Sequence, residues 1–355
     1  MVPPRLYARI LAALFLLILG AGAAGLAFGD GATGENRRLS PAPGWPHAWT
    51  TWPREVDAWV ADRFGLRDPL IRLHARLAFA LRTQESRRVV LRGQDGWLFY
   101  GDRFSRLSYQ RLNPLTPADA VSWRDVLLMR QHDAKAAGAA YLFVATPDKH
   151  TVYPEFMPNT PPVLGSQSRL QALRPVGTAA LGPAYLDLEP VLLQARGRVP
   201  LYYRTDTHWT AYGAYIGYQA VLARLDALGF QMPSITEAGF PPRSYDQGDL
   251  ARMLAVPLQE GTVAAPATPC DASPGDKVRH ATCPGGRLRA LVVHDSFGVA
   301  LMPYLASSFA ETVFVAARPS AEQFRALLVE HRPDVVIEER VERMFNTGLA
   351  DGEPR

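Results

Sequence analysis

The sequence has 355 residues, of which 48% are hydrophobic and 20% are charged, and these proportions exclude wholesale disorder. The net charge of +4 arises from 38 basic and 34 acidic residues. Because this charge is small and scattered, with no basic run interleaved with aromatic residues, the composition indicates no nucleic-acid partner.

The N-terminal segment predicts export. Arg5 and Arg9 precede an uncharged run from Ile10 to Phe28, which is close in length to the roughly 20 residues that span the hydrocarbon core of a membrane. Basic residues on the amino side of the run place the N-terminus in the cytoplasm. We therefore expect a signal anchor, a transmembrane helix, over residues 1–29, although small residues near its end also permit a cleaved signal peptide.

The rest of the chain is divided by composition. Residues 30–52 are rich in proline and tryptophan and are interpreted as a linker. Residues 53–355 are interpreted as one large domain, which would lie outside the cytoplasm.

Helical patterns and buried-strand patterns alternate along this domain, which predicts an α/β fold with a mostly parallel sheet and helices on both faces. Helices are predicted at Pro53–Arg82 with a break at 64–69, Pro117–Ala137, Gln167–Leu181, Glu189–Ala195, Trp209–Leu228 and Ala321–Glu330. Strands are predicted at Ala139–Ala145, Ala184–Leu188, Leu288–Val293, Thr312–Ala316 and Asp334–Ile337. Residues 230–286 are predicted to be an insertion with little regular structure.

The loop between Ala139–Ala145 and the next helix contains polar side chains at the carboxyl end of a strand, where ligands bind in open α/β sheets. Lys149 and Tyr153 are therefore candidates for contact with a substrate. A solvated surface charge is the alternative for Lys149.

Two residues of a later loop are suited to proton transfer. Asp206 and His208 are two positions apart, so in an extended or turn conformation their side chains emerge on the same side. Histidine accepts a proton near neutral pH, and a carboxylate can orient the ring. We interpret His208 as a candidate general base and Asp206 as its orienting group.

The two cysteines, Cys270 and Cys283, lie in a loop rich in proline and glycine. An even number of nearby cysteines outside the cytoplasm indicates a disulfide. Two free thiols are the alternative, whereas two cysteines without a paired CxxC do not make a zinc site.

Ser296 lies where a predicted buried strand ends and a helical pattern begins. There its hydroxyl would lie near the free N–H groups of a helix N-terminus, which favour developing negative charge. Such a turn can supply a nucleophile and part of an oxyanion hole. The alternative is that Ser296 caps the helix.

Four stretches together resemble the SGNH-type O-acetyltransferases of bacterial exopolysaccharide machinery, the AlgJ/AlgX alginate acetylation family. They are Asp95–Gly101, Pro147–Glu155, Asp206–Thr210 and His294–Gly298, which read DGWLFYG, PDKHTVYPE, DTHWT and HDSFG. The Asp-x-His stretch precedes the serine, as in the permuted order of catalytic blocks in that family. At His294 the chain departs from the usual glycine before the Asp-Ser pair.

The resemblance implies a three-layer SGNH-hydrolase-like fold and an enzyme that moves acetyl groups onto polysaccharide hydroxyls in the periplasm, anchored to the inner membrane. It implies Ser296 as nucleophile, His208 as base, Asp206 as orienting group and Arg318 as an oxyanion or substrate contact. It implies no cofactor. The expected partner is a membrane-bound O-acyltransferase that supplies acetyl groups.

Three other interpretations remain open from the sequence. The same three residues could serve an esterase that removes acetyl groups, since only the final acceptor differs. Asp206, His208, His294 and Asp295 could instead bind a metal, although no tight ligand motif is present. The aromatic residues could also belong to a polysaccharide-binding scaffold without catalysis.

Overall fold

The computed structural model describes residues 9–17, 20, 40–44, 50–63, 70, 73–74, 77, 81, 90–159, 162–235, 239–246, 248–254 and 256–346. The chain divides into two compact units. One comprises residues 1–86 and 251–257, and the other comprises residues 87–250 and 258–355.

The first unit contains helix α1 (Trp52–Arg63). The Asp62 carboxylate accepts a hydrogen bond from the Ser40 backbone N–H at 2.8 Å, and the Arg63 guanidinium donates to the Ser40 carbonyl at 2.9 Å. These bonds fix the segment before α1 against its last turn. The predicted break at 64–69 lies outside the described residues.

Most of the predicted anchor over 1–29 lies outside the described residues. Within that range the structure describes residues 9–17 and 20, which are helical. Within the described part of the chain, no helix has both the length and the apolar character needed to cross a membrane.

The second unit contains the sheets. Its helices, in chain order, are α2 (Arg103–Gln110), α3 (Pro117–Ala136), α4 (Lys149–Val152), α5 (Arg169–Leu181), α6 (Glu189–Ala195), α7 (Ala211–Ala227), α8 (Asp249–Met253, which ends in the first unit), α9 (Met302–Ala306) and α10 (Ala321–His331). Its strands are β1 (Val90–Arg92), β2 (Leu98–Tyr100), β3 (Ala140–Thr146), β4 (Tyr185–Asp187), β5 (Pro242–Tyr245), β6 (Glu260–Val263), β7 (Val278–Thr282), β8 (Arg289–His294), β9 (Glu311–Ala316) and β10 (Val335–Val341).

The main sheet has six strands in the order β4-β3-β10-β8-β9-β7. All neighbouring pairs are parallel except β7 with β9, which is antiparallel. The predicted α/β fold with a mostly parallel sheet is confirmed, and the edge strand makes the sheet mixed.

Alternate side chains of the central strands enter two separate cores. In β3, Leu142 and Val144 pack in one hydrophobic cluster with residues of α6, α7 and α9. Tyr141 and Phe143 pack in a second cluster with residues of α3, α5 and α10. Because successive side chains of a strand point to opposite faces, helices cover the sheet on both sides.

The prediction for residues 230–286 was wrong in one respect. This region contains the antiparallel pair β5 and β6, with helix α8 between them in the chain, and β7, the edge strand of the main sheet. Only Ala281 of β7 is fully buried, because an edge strand packs against a single neighbour. Its sequence therefore lacks the apolar pattern that identifies the central strands.

Strand β10 extends beyond the predicted Ile337 through three buried charged residues, Glu338, Glu339 and Arg340. The Glu338 carboxylate accepts a hydrogen bond from the Tyr141 hydroxyl at 2.8 Å and pairs with Arg340 at 3.1 Å. These partners offset the cost of burying charge in a central strand. A hydrophobicity pattern cannot anticipate such compensation.

Candidate active site

Strand β8 ends at His294, and the chain turns sharply before the helical segment that begins at Gly298. The Asp295 carboxylate holds the turn, accepting the backbone N–H groups of Phe297 at 2.9 Å and Val341 at 2.8 Å. Val341 is the last residue of the neighbouring strand β10. Ser296 is therefore fixed at the carboxyl edge of the sheet, where it is exposed.

The residues around this turn are close-packed. A Cβ atom at Gly298 would lie 2.4 Å from the Cβ of His294, so any larger residue at position 298 would displace the turn. His294 is buried, and its Nδ1 lies 2.6 Å from the Asp295 carbonyl oxygen, to which it donates. The histidine that replaces the expected glycine thus hydrogen-bonds within the turn.

The loop that contains His208 is closed by a β-bridge between Tyr202 and Trp209. The Tyr203 N–H donates to the His208 carbonyl at 3.2 Å. The indole N–H of Trp209 donates to the Phe297 carbonyl at 3.0 Å. This bond joins the histidine loop directly to the serine turn.

Three side chains form a continuous hydrogen-bonded chain at this junction. The His208 Nε2 lies 2.9 Å from the Ser296 Oγ. The His208 Nδ1 lies 2.6 Å from the Asp206 Oδ1. Both distances are within hydrogen-bond range, so the structure brings together the predicted nucleophile, base and orienting group.

Asp206 is buried and its carboxylate is fully engaged. Its Oδ1 also accepts the His208 backbone N–H at 2.9 Å, while its Oδ2 accepts the Tyr245 hydroxyl at 2.8 Å and the Asp249 backbone N–H at 3.0 Å. Burial by itself would raise the pKa of Asp206, but the hydrogen bonds and charge of His208 outweigh it and hold that pKa well below its usual range. Asp206 therefore stays ionised and keeps the Nδ1 of His208 protonated.

Asp249 brings a second carboxylate close to the histidine. It accepts the backbone N–H of Thr207 at 2.7 Å and the Thr207 hydroxyl at 2.5 Å, and its Oδ2 lies 3.7 Å from the His208 Nδ1. Burial, and then the negative charge of Asp206, raise the pKa of Asp249. Sequence reasoning missed Asp249 and Tyr245, since both lie in the region interpreted as irregular and neither carries a short-range motif.

The structure corrects the interpretation of Lys149. Its ammonium is buried and donates to three backbone carbonyls of the histidine loop, those of Tyr203 at 3.0 Å, Arg204 at 3.3 Å and Asp206 at 2.6 Å. Burial lowers the pKa of Lys149 to about 7. Lys149 therefore supports the loop from beneath and does not offer a free charge to a substrate.

Tyr153 also contacts the histidine loop. It is buried, and its hydroxyl accepts the backbone N–H of Leu201 at 2.9 Å. Its ring packs against Trp97 with the ring centres 4.7 Å apart. Tyr153 thus stabilises the start of the histidine loop, and its contact with a substrate stays a prediction.

Arg318 lies just after the carboxyl end of β9, the strand next to β8. Burial and the nearby Arg340 lower its pKa, and the charge of Asp295 opposes this. Arg318 is thus within electrostatic reach of the serine turn, and its contact with a substrate stays a prediction.

Two groups of side chains could hold a metal ion among the described residues. Asp206, His208 and Asp249 form one, and Asp148, His150 and Glu342 form the other; within each group the ligand atoms lie within 4.8 Å of one another. The predicted set of Asp206, His208, His294 and Asp295 does not assemble. His294 Nδ1 faces a carbonyl, and the Asp295 carboxylate is occupied by backbone N–H groups.

Cys270 and Cys283 are joined by a disulfide that closes a loop with a sequence separation of 13 residues. The Cys283 N–H donates to the Ala310 carbonyl at 2.9 Å, just before β9 begins. The bond thus holds the loop around β7 close to the edge of the main sheet.

The chain is similar in sequence to known proteins. Residues 90–338 match the family model of the SGNH hydrolase-like domain, acetyltransferase AlgX. A "Probable alginate O-acetylase AlgJ" of Pseudomonas putida is 29% identical over 194 residues, which cover 51% of this chain and 46% of that protein. A protein of the same description from Pseudomonas syringae pv. tomato is 28% identical over 175 residues, 49% of this chain and 42% of that protein.

The aligned region thus spans less than half the length of each of these curated relatives. Among solved structures, PatB1 of Bacillus cereus superposes with a TM-score of 0.51 at 14% identity, covering 75% of this chain and 99% of that one. At this identity the likeness concerns the fold alone.

Proposed function

We infer the function from one premise: the chain belongs to the family of SGNH hydrolase-like, AlgX-type acetyltransferase domains, whose model matches residues 90–338. We propose that it transfers acetyl groups from a donor to hydroxyls of an exopolysaccharide through an acetyl-serine intermediate. The relatives described as probable alginate O-acetylases support a polysaccharide acceptor.

The observation that carries the proposal is the hydrogen-bonded chain from Ser296 through His208 to Asp206, with distances of 2.9 Å and 2.6 Å. In the first step the Ser296 Oγ attacks the acetyl carbonyl of the donor, while the His208 Nε2 takes the hydroxyl proton. The bond between the acetyl carbon and the donor breaks, and His208 returns its proton to the leaving group. The product is acetyl-Ser296.

In the second step a sugar hydroxyl attacks the acetyl carbon, and the His208 Nε2 takes its proton. The bond from the acetyl carbon to the Ser296 Oγ breaks, and the Oγ regains the proton from His208. Asp206 remains ionised throughout, since its contacts with His208 hold its pKa low. The carboxylate fixes the ring and stabilises the imidazolium that forms in each step.

Each step develops negative charge on the acetyl oxygen, which needs hydrogen-bond donors. Among the described residues, the backbone N–H of Ser296 meets no acceptor in the protein and is available for this purpose. We assign Arg318 as the second donor, since it lies beyond the strand next to the nucleophile and within electrostatic reach of Asp295. Arg318→Ala should lower kcat more than it raises KM if it acts in the transition state.

The location and partner belong to the same proposal. Export is supported by the uncharged run 10–28 after Arg5 and Arg9, and family membership favours an inner-membrane protein with its catalytic domain in the periplasm. A membrane-bound O-acyltransferase would supply the acetyl group. Protease added to spheroplasts should cut the domain while leaving cytoplasmic markers intact; a protected domain contradicts the assignment.

The test is acetyl transfer from an activated acetyl ester to a polysaccharide by the wild type and by Ser296→Ala. The variant should bind the polymer and retain its fold while losing transfer. Transfer by the folded variant at the wild-type rate would refute the proposal. Polysaccharide that loses acetyl groups but never gains them would instead favour an esterase, which the exposure of Ser296 to water also permits.

A further inference from the structure

His294 is the residue at which this chain departs from the usual glycine before the Asp-Ser pair. Its imidazole is buried at the end of β8. The ring packs against Gly298, where a Cβ atom would lie 2.8 Å from the His294 Nδ1. It also meets the ring of Phe314 on β9 edge to face, with the ring centres 6.4 Å apart. Packing therefore fixes the position of the imidazole.

The contacts of the ring determine where its proton lies. The Nδ1 is 2.6 Å from the Asp295 carbonyl oxygen, and because a carbonyl can only accept, the proton must be on Nδ1. The Nε2 is buried and has no hydrogen-bond partner among the described residues. Burial lowers the pKa of His294, and the hydrogen bond to Asp295 offsets this only in part, so the ring is neutral at neutral pH. The imidazole is thus a single donor aimed at a single carbonyl.

That carbonyl belongs to the peptide group that joins Asp295 to Ser296. It accepts a second hydrogen bond, from the Gly298 N–H at 3.2 Å. A trans peptide group is planar, and its carbonyl and N–H point in opposite directions. Two donors that fix the Asp295 carbonyl therefore also fix the direction of the Ser296 N–H, which points away from both of them.

The Ser296 N–H differs from the two N–H groups that follow it in the turn. The Phe297 N–H is bonded to the Asp295 carboxylate at 2.9 Å, and the Gly298 N–H is bonded to the Asp295 carbonyl. The Ser296 N–H meets no acceptor in the part of the chain that the structure describes. Within this turn it is the group that can bind a negative oxygen beside the Ser296 Oγ.

We propose that His294 is a positioning residue, whose Nδ1–H holds the peptide group between Asp295 and Ser296 so that the Ser296 N–H meets the acetyl oxygen as this oxygen becomes negative. Such stabilisation requires donors that are oriented before the reaction begins. A donor on the carbonyl end of a peptide group also polarises the group and strengthens the donor at its N–H end. Glycine at this position has no side chain and cannot supply the bond. The inference rests on the proposed function, because it concerns how acetyl-serine forms.

The first test compares three side chains at position 294 in the full-length protein. His294→Asn carries an amide N–H donor at the δ position, whereas His294→Leu has the same branching and no donor. His294→Gln is polar but places its amide nitrogen one bond beyond the position of Nδ1. The assay gives kcat and KM for acetyl release from an activated ester, and circular dichroism identifies the variants that keep the wild-type fold.

His294→Leu and His294→Gln should lower kcat about tenfold or more and leave KM within about twofold of wild type, because the lost orientation matters in the transition state. His294→Asn restores the donor and should keep kcat within about threefold of wild type. The inhibition constant of trifluoroacetone, whose adduct with the serine hydroxyl carries a negative oxygen, should rise in proportion to the fall in kcat. Equal kcat values for the folded leucine and asparagine variants, or a change confined to KM, would overturn the proposal.

A second measurement uses the wild type and does not depend on the folding of any variant. Nuclear magnetic resonance of protein with isotopically labelled histidine rings should show the proton of His294 on Nδ1 at neutral pH, and a proton on Nε2 would overturn the proposal. Ser296→Ala protein that releases acetyl groups at the wild-type rate would refute the proposed function itself. A rate that needs Ser296 but not a donor at position 294 would refute the inference alone.

Discussion

Replacing Asp206 with asparagine tests the role of the buried carboxylate. The change keeps the size of the side chain but removes its charge. The 2.6 Å contact between Asp206 and the His208 Nδ1 requires an ionised acceptor. An amide nitrogen facing the Nδ1 would favour the tautomer that carries its proton on Nε2, and that nitrogen could then no longer accept the proton of Ser296.

The expected loss is about 10⁴-fold in kcat, or about 5 kcal/mol of transition-state stabilisation. Tyr245→Phe provides a graded comparison, because it removes only one donor to Asp206, at 2.8 Å, and leaves the carboxylate in place. That variant should lose about tenfold, the value of one hydrogen bond to a charged group.

The assay is the initial rate of acetyl release from an activated ester, measured with each variant alongside circular dichroism spectra. Asp206→Asn should retain the wild-type spectrum and lose the rate. A folded Asp206→Asn protein with a rate within tenfold of wild type would refute the proton-transfer role. A Tyr245→Phe protein as impaired as Asp206→Asn would show that the hydroxyl, and not the charge, is decisive.

Three further predictions concern stability. Burial, followed by the charge of Asp148, raises the pKa of Glu342 to about 8. The stabilisation from its protonated form is therefore complete below the usual pKa of 4.5 and is lost as the pH rises through about 8. In urea denaturation, Glu342→Gln should flatten the dependence of the free energy of unfolding on pH and should be more stable than wild type at about pH 8, and an unchanged pH dependence would contradict this. Lys149→Met leaves the carbonyls of Tyr203 and Asp206 without the donor that Lys149 supplies, while the Arg204 carbonyl keeps the Leu98 N–H at 2.8 Å; the free energy of unfolding should fall by about 3 kcal/mol, whereas a loss below about 1 kcal/mol would mean that the loop does not depend on Lys149. Replacing both Cys270 and Cys283 by serine should lower the free energy of unfolding by about 3 kcal/mol, since the disulfide closes a loop with a sequence separation of 13 residues. Equal denaturation midpoints for the oxidised wild type and the double variant would exclude a stabilising disulfide.

The strand pattern made much of the site predictable. Parallel strands place their carboxyl ends at one edge of a sheet, so a serine after β8 could be expected to border a pocket. The pairing of Asp206 with His208 could be read from their spacing of two residues. The α/β fold and the family followed from the same stretches, and both were confirmed.

The groups that support these residues could not be predicted. Tyr245 and Asp249 reach Asp206 from a four-residue strand and a five-residue helix, which are too short to show an apolar period. Lys149 appeared to be a surface charge or a substrate contact, because the three carbonyls that make its burial tolerable come from a loop more than fifty residues away. Long-range polar compensation leaves no trace in local sequence.

The most direct measurement of the central claim is the mass of the Ser296 peptide after the enzyme is mixed with an acetyl donor and quenched in acid before acceptor is added. The wild type should carry one acetyl group on Ser296. When polysaccharide is then supplied, this group should be lost at the same rate as acetylated polymer forms. Asp206→Asn should accumulate the adduct far more slowly. Polymer that becomes acetylated while the peptide stays unmodified at every quench time would contradict the account.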